Sequence, residues 1–303
     1  MSQKSSFHAL LALLFLSFIW GYNWVVMKLA LPFIGAIQFA AIRTFFAAMM
    51  LFAFVLLLKK PLGLSQSGKT LVLGLLQTTG FVGFSMAALV QGGAGKVAVL
   101  VFIMPFWVLL LAWPVLGEKV RGLQWLAVLL AVIGLVYILE PWNFRGHVLS
   151  NVLAILAGLS WALAVILAKN MHHQEPQRDL LSLTAWQMLL GSIPLIVLAL
   201  LIPGKPIIWN GTLIPAMAYN IVLTNGLGWL IWLYALQRLP AGVASMNALL
   251  IPVIAVLAAW GHLDEVPAFN EGVGMSLIAV ALTMLAWLAM RGKQSVEASA
   301  GQD

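Results

Sequence analysis

Long apolar stretches, interrupted by short breaks carrying glycine, proline or charge, run from near the start of the chain to residue 290. Ten such runs stand out, at roughly 9–31, 34–58, 68–90, 94–113, 122–140, 148–169, 181–202, 211–236, 241–260 and 270–290. Each approaches the ~20 residues that an α-helix needs to cross a hydrocarbon core roughly 30 Å thick. Inside a bilayer the backbone must satisfy its own N–H and C=O groups, so runs of this length predict helices rather than open strands. The pattern predicts an all-α polytopic membrane protein with ten transmembrane helices.

Part of the pattern is written twice. The stretch "AGKVAVLVFIMPFWVLLLAWPVLGE", Ala94 to Glu118, returns as "AGVASMNALLIPVIAVLAAWGHLDE", Ala241 to Glu265, at a constant offset of 147, which is 241 minus 94. Both copies keep an Ala-Gly start, a proline (Pro105, Pro252), an Ala-Trp pair and a closing glutamate. Trp20 and Lys28 in the first run likewise match Trp161 and Lys169 in the sixth. Repetition of this kind defines the architecture before any other reading. The expected division is a first five-helix repeat at 1–145, a second at 146–292, and a polar cytoplasmic tail at 293–303, expected to be flexible. Five is odd, so the second repeat enters the membrane inverted. Loop charge supports the inversion: the break after run four holds Lys119 and Arg121, whereas "GHLDEVPAFNE" after run nine holds neither Lys nor Arg.

Composition sharpens the picture. The chain is 63% hydrophobic and 8% charged, against about 25% charged residues in ordinary soluble domains. A net charge of +7 in a soluble protein would point to nucleic acid. Here a cytoplasmic N-terminus puts Lys4, Lys59, Lys60, Lys69, Lys119, Arg121, Lys169, Arg178, Arg238, Arg291 and Lys293 on the inner side, against Lys28, Lys96, Arg145 and Lys205 outside. That is the positive-inside bias of a membrane protein with both termini in the cytoplasm, and no nucleic-acid partner is expected. A bacterial-type inner membrane is the expected location. The absence of cysteine removes disulfide and thiolate chemistry.

Inverted repeats are the mark of secondary transporters, whose substrate sites lie near the midplane between the halves. Ten helices in two halves, the "AIRTFF" arginine in run two, and the paired Pro then Trp/Glu patterns of runs four and nine resemble the drug/metabolite transporter superfamily. Within it the chain resembles the EamA-type transporters, and among these the YddG-like (aromatic) amino-acid exporters. The resemblance implies helices one to four and six to nine around a central cavity, helices five and ten at the periphery, and alternating access.

Polar residues deep in a bilayer are candidates for function by default. Trp20 and Asn23 lie near the centre of run one, and Trp161 near the centre of run six. Arg43 sits about 13 Å into run two at 1.5 Å per residue. It requires a partner there: a backbone carbonyl, as a structural anchor, or the carboxylate of a passing substrate. Its counterpart in the second half is Gln187. Gln77 and Thr78 in run three fall on Thr224 and Asn225 in run eight at the offset of 147, and Asn220 and Asn247 complete the set. The competing role is interhelical hydrogen bonding, worth ~0.6 kcal/mol on average. Pro105 and Pro252 each free a carbonyl one turn upstream, which kinks a helix and offers an oxygen to a ligand. Lys28 and Lys169 are expected to snorkel to the membrane boundaries.

Other signals carry less. "GGAGKV" lacks the full phosphate-loop spacing. "MHHQEP" reads as a solvated loop rather than a metal site. No nucleophile, base and orienting acid come together, so neither catalysis nor a cofactor is expected. The expected function is export of small metabolites, foremost neutral or aromatic amino acids, by a monomer in facilitative or exchange mode. The alternative is efflux of drugs or hydrophobic compounds driven by a proton gradient. Against that alternative, Glu118, Glu140, Glu175, Asp179, Asp264, Glu265 and Glu271 all fall at breaks or run ends, so no buried carboxylate is expected to carry the proton.

Overall fold

The computed structural model describes residues 3–64, 66–116, 122–139, 147–202, 204–236 and 247–300. Ten helical rods occupy these residues. They are α1 (Gln3–Ala30), α2 (Ala36–Leu57), α3 (Ser67–Gly74, continuing through Leu75–Gly80 and Phe81–Gln91) and α4 (Ala94–Val101 and Met104–Leu116). They continue with α5 (Leu123–Leu139), α6 (Val148–Gln174), α7 (Leu180–Leu201), α8 (Leu213–Ala218, Tyr219–Leu227 and Gly228–Leu236), α9 (Asn247–Leu263) and α10 (Phe269–Ala300). By length and composition seven of the rods can cross a membrane, and the remaining three contain shorter apolar helices, Leu123–Leu139, Leu250–Leu263 and Phe269–Leu285. Large apolar side chains such as Phe15, Phe18 and Leu200 face outward, while Asn23, Arg43, Thr78, Gln187 and Asn220 are buried. This inversion of the usual polarity fits lipid outside and a polar interior.

Helix packing repeats between the halves. α1 packs on α9 and α8, and correspondingly α6 packs on α4 and α3. α2 packs on α8 as α7 does on α3, while α2–α7, α4–α9 and α5–α10 pair across the halves. Exchanging the first five helices with the last five maps this set of pairs onto itself. α5 packs chiefly on α10, and the other eight helices form the central body. Small residues permit the closest approaches, as helix association in lipid requires. At Gly74 of α3 and Gly191 of α7 the two backbones touch, leaving no room for a Cβ on either.

Several elements depart from expectation. α3 and α8 each contain a π-helical stretch, Leu75–Gly80 and Tyr219–Leu227. Run four is not one rod: α4 breaks at Phe102 and Ile103, just before Pro105. Pro105 has no N–H for the Val101 carbonyl, but that oxygen lies against Gly158 of α6, where a Cβ would come within 2.7 Å of it. The freed carbonyl is used in packing rather than offered to a ligand. Pro252 sits inside the continuous helix Asn247–Leu263. His172 and His173 belong to the last turn of α6, not to a loop. α10 continues to Ala300, beyond the boundary expected at 292, through "KQSVEASA", which contains no helix-breaking Gly or Pro. Glu118, Lys119, Arg121, Glu140, Arg145, Arg238 and residues 241–246 lie outside the described residues.

Candidate functional site

A cavity of about 120 Å³ lies at the centre of the bundle, and all eight central helices contribute to its wall. Trp20, Asn23, Arg43, Gln77, Thr78, Trp161, Thr224 and Asn225, each expected from sequence, line it. Asn220 stands directly behind the wall, fully buried and bonded to Arg43. Asn247 opens α9, and its side chain is outside the described residues. Neither Pro105 nor Pro252 lines the cavity, but Phe102 at the α4 break does, as does Ile251 of α9.

The π-helical stretches explain how the polar level is assembled. In a π turn a carbonyl bonds five residues on instead of four, which widens the helix locally; such bulges concentrate at functional sites. The same local solution appears in both halves. In α3 the Leu76 carbonyl accepts a 2.7 Å bond from the Ser160 hydroxyl of α6. In α8 the Thr224 carbonyl accepts a 3.0 Å bond from the Trp20 indole of α1. Four residues after each carbonyl stands a glycine, Gly80 or Gly228, and a Cβ there would collide with Ser160 or with the Trp20 ring nitrogen. Each π stretch thus receives a donor from the first helix of the opposite half, through a gap left by glycine.

Side-chain pairs complete the level. Thr224 donates to Asn23 Oδ1 at 3.2 Å, and Thr78 donates to Gln187 Oε1 at 3.2 Å. Asn225 Nδ2 donates to the Asn220 carbonyl at 2.8 Å. Arg43, only 4% exposed, donates through Nη1 to Asn220 Oδ1 at 2.6 Å and to Met27 Sδ at 3.1 Å. The backbone partner expected for Arg43 is therefore replaced by a side-chain amide and a thioether. No carboxylate pairs with it among the described residues.

Aromatic rings close two sides. Trp161 packs at 4.9 Å against Phe81 and at 5.5 Å, edge to face, against Phe102. Trp20 lies 6.1 Å from both Trp229 and Trp232. Met27, Thr44, Phe81, Val82, Ser85, Met188 and Trp229 are wall residues that the sequence reading did not single out. Helical spacing contained the signal for some of them. Trp20, Asn23, Trp24 and Met27 follow the i, i+3, i+4, i+7 rule of one helix face, as Thr78, Phe81 and Ser85 follow i, i+3, i+7.

Lys28 stands in the last turn of α1, at the end of the bundle. Its ammonium donates to the Leu89 and Gly92 carbonyls, both at 2.7 Å, and so occupies oxygens that the end of α3 leaves without helical partners. Lys96 pairs with Glu271 at 2.7 Å at the same end. Lys169, at the matching position of α6, is exposed.

The profile of the EamA-like transporter family matches the chain twice, over residues 7–140 and 148–287. The transporter YoaV of Bacillus subtilis is 27% identical over 281 residues, 91% of this chain and 95% of its own length. A probable amino-acid metabolite efflux pump of Salmonella typhimurium is 28% identical over 293 residues, 93% of this chain and 94% of its own. Its Escherichia coli equivalent is 27% identical over the same length. A solved crystal structure, 15% identical, superposes with a TM-score of 0.68 over 93% of this chain and 99% of the other. At that identity the likeness concerns the fold alone.

Proposed function

The chain belongs to the EamA-like transporter family, and on that premise we propose that it exports small metabolites, foremost neutral or aromatic amino acids, by alternating access around the central cavity. The observation that carries this reading is the cavity itself, set between the repeats and walled by aromatic rings, amides and hydroxyls, with Arg43 as its one ionisable wall residue among those described. Rings suit an apolar or aromatic side chain, and amide oxygens and ring faces suit an ammonium. A volume of about 120 Å³ is of the order of the ~150 Å³ cavity that accepts benzene, below the roughly 300–1,000 Å³ of pockets for drug-sized ligands. Among the described residues the wall holds no carboxylate or histidine, which favours facilitative or exchange transport over proton coupling. The names of the Salmonella and Escherichia relatives, probable amino-acid metabolite efflux pumps, support the amino-acid export reading.

In this mechanism the two repeats move against each other about the cavity. The break in α4, with Phe102 packed edge to face on Trp161, is the mobile joint of the first half, and Pro252 marks its counterpart in the second. The protein works as a monomer in a bacterial-type inner membrane with both termini cytoplasmic. Counterflow of labelled amino acids into proteoliposomes tests the proposal. Selective exchange of neutral or aromatic amino acids supports it, and carriage of lipophilic cations alone sinks it.

A further inference from the structure

A carboxylate is the group that the central site is built to read, and its reader is one edge of the Arg43 guanidinium. Resting on the amino-acid reading above, we infer that Arg43 binds the substrate's carboxylate side-on through Nε and Nη2, so that a free carboxylate is a condition of recognition. Arginine presents five N–H donors in a rigid fork. Both contacts made by Arg43 come from Nη1, to Asn220 Oδ1 and Met27 Sδ. Nε is buried with no hydrogen-bond partner, and Nη2 likewise makes no bond among the described residues. These two nitrogens share the edge of the guanidinium that a carboxylate meets with two parallel bonds.

The surroundings favour the same ligand. Ser85, a second wall residue, also holds a buried hydroxyl oxygen without a partner. Two of the amide oxygens facing the site already accept bonds, Asn23 Oδ1 from Thr224 and Gln187 Oε1 from Thr78. Unused donors of Arg43 and Ser85 thus stand in one wall, where Arg43 is the charged residue among those described. A guanidinium buried without an anion is costly in a low-dielectric interior, and a carboxylate arriving in the cavity supplies the missing charge. Nη1 is pinned by Asn220 so that the fork is held in place before the ligand enters, which lessens the ordering cost of binding. A cation without a carboxylate meets repulsion at the same position. The site thereby separates amino acids from amines and cationic drugs of similar bulk.

The test uses the purified full-length protein and four probes that differ at their polar ends: L-phenylalanine, L-phenylalaninamide, 3-phenylpropanoate and phenethylamine. Binding is read as the concentration-dependent shift in melting temperature. The two carboxylates are expected to bind at least about tenfold more tightly than the amide and the amine, because charge-assisted bonds are lost in the latter pair. In Arg43→Gln the advantage of the acid over the amide disappears. Arg43→Lys, which keeps the charge without the fork, retains a small part of it. If Arg43→Gln does not fold, the comparison of probes on the parent protein decides alone. Equal binding of L-phenylalanine and its amide overturns the carboxylate assignment and leaves the amino-acid reading standing. Failure of both carboxylates to bind, with labelled amino acids also failing to exchange, overturns both.

Discussion

Arg43 of α2 and Asn220 of α8 are joined by a 2.6 Å bond that links the first repeat to the second at the wall of the central cavity. The bond leaves the guanidinium positioned but not neutralised, and it gives two opposite expectations. Asn220→Asp supplies an internal carboxylate that competes with the substrate. We predict that this variant keeps its stability within about 1 kcal/mol, since pairing offsets desolvation, but loses most of its amino-acid exchange. Asn220→Ala leaves a buried charged donor unpaired and is predicted to destabilise by about 1.5–3 kcal/mol. Thermal unfolding in detergent beside counterflow separates the two.

The glycines beside the π stretches are predicted to be sensitive to the smallest side chain. Gly228→Ala puts a Cβ about where the Trp20 ring nitrogen now approaches, 2.8 Å away, and displaces the indole from the Thr224 carbonyl. The expected loss is ~1–3 kcal/mol of stability, as for other overpacked sites. Gly63→Ala, where the space around the added Cβ is open, is the matched control and is expected to be neutral within ~0.5 kcal/mol. Comparable unfolding temperatures for the two variants would count against the role assigned to Gly228.

Lys28 is predicted to act as a latch at its end of the bundle. Its ammonium ties the end of α1 to the Leu89 and Gly92 carbonyls, whereas the matching Lys169 is exposed. Because the chain contains no cysteine, a single Thr78→Cys substitution reports access to the cavity. Lys28→Met is expected to raise labelling of that cysteine by an impermeant reagent applied from the Lys28 side, and Lys169→Met is not. Unchanged labelling in Lys28→Met would remove the latch from the account.

Transport is predicted to ignore an imposed pH gradient. Arg43, the wall's ionisable residue, stays protonated across the working range, so neither direction of the gradient changes the number of protons carried. Counterflow rates measured with the gradient imposed each way and with none should coincide. Acceleration in one direction would require a titrating carrier group that the wall does not provide.

Much of this arrangement was legible in the residues. The offset of 147 lays Gln77 over Thr224 and Thr78 over Asn225, and all four line the cavity, as expected of a site between inverted halves. Arg43 declared itself by its cost in a bilayer. What stayed hidden depended on rotation and on local backbone geometry. Residue identity does not fix how a helix turns about its axis, so Met27 and Ser85 follow only from their spacing to Trp20 and Thr78, and no such pattern marks Trp229. The π stretches depend on a five-residue hydrogen-bond step that no single residue type encodes, and only the pairing of Gly80 with Ser160 and of Gly228 with Trp20 shows why they form there. The carbonyl partners of Lys28 lie 61 and 64 positions away in the chain, beyond any local pattern.

Counterflow of a panel of labelled amino acids into proteoliposomes at equal pH on both sides tests the central claim most directly. It should be run on the parent protein and on Asn23→Ala, Thr78→Ala and Asn225→Ala. The account predicts selective exchange of neutral or aromatic amino acids by the parent and loss of that exchange in the variants, with folded protein retained. Absence of amino-acid exchange in the folded parent, or full exchange in all three variants, would contradict it.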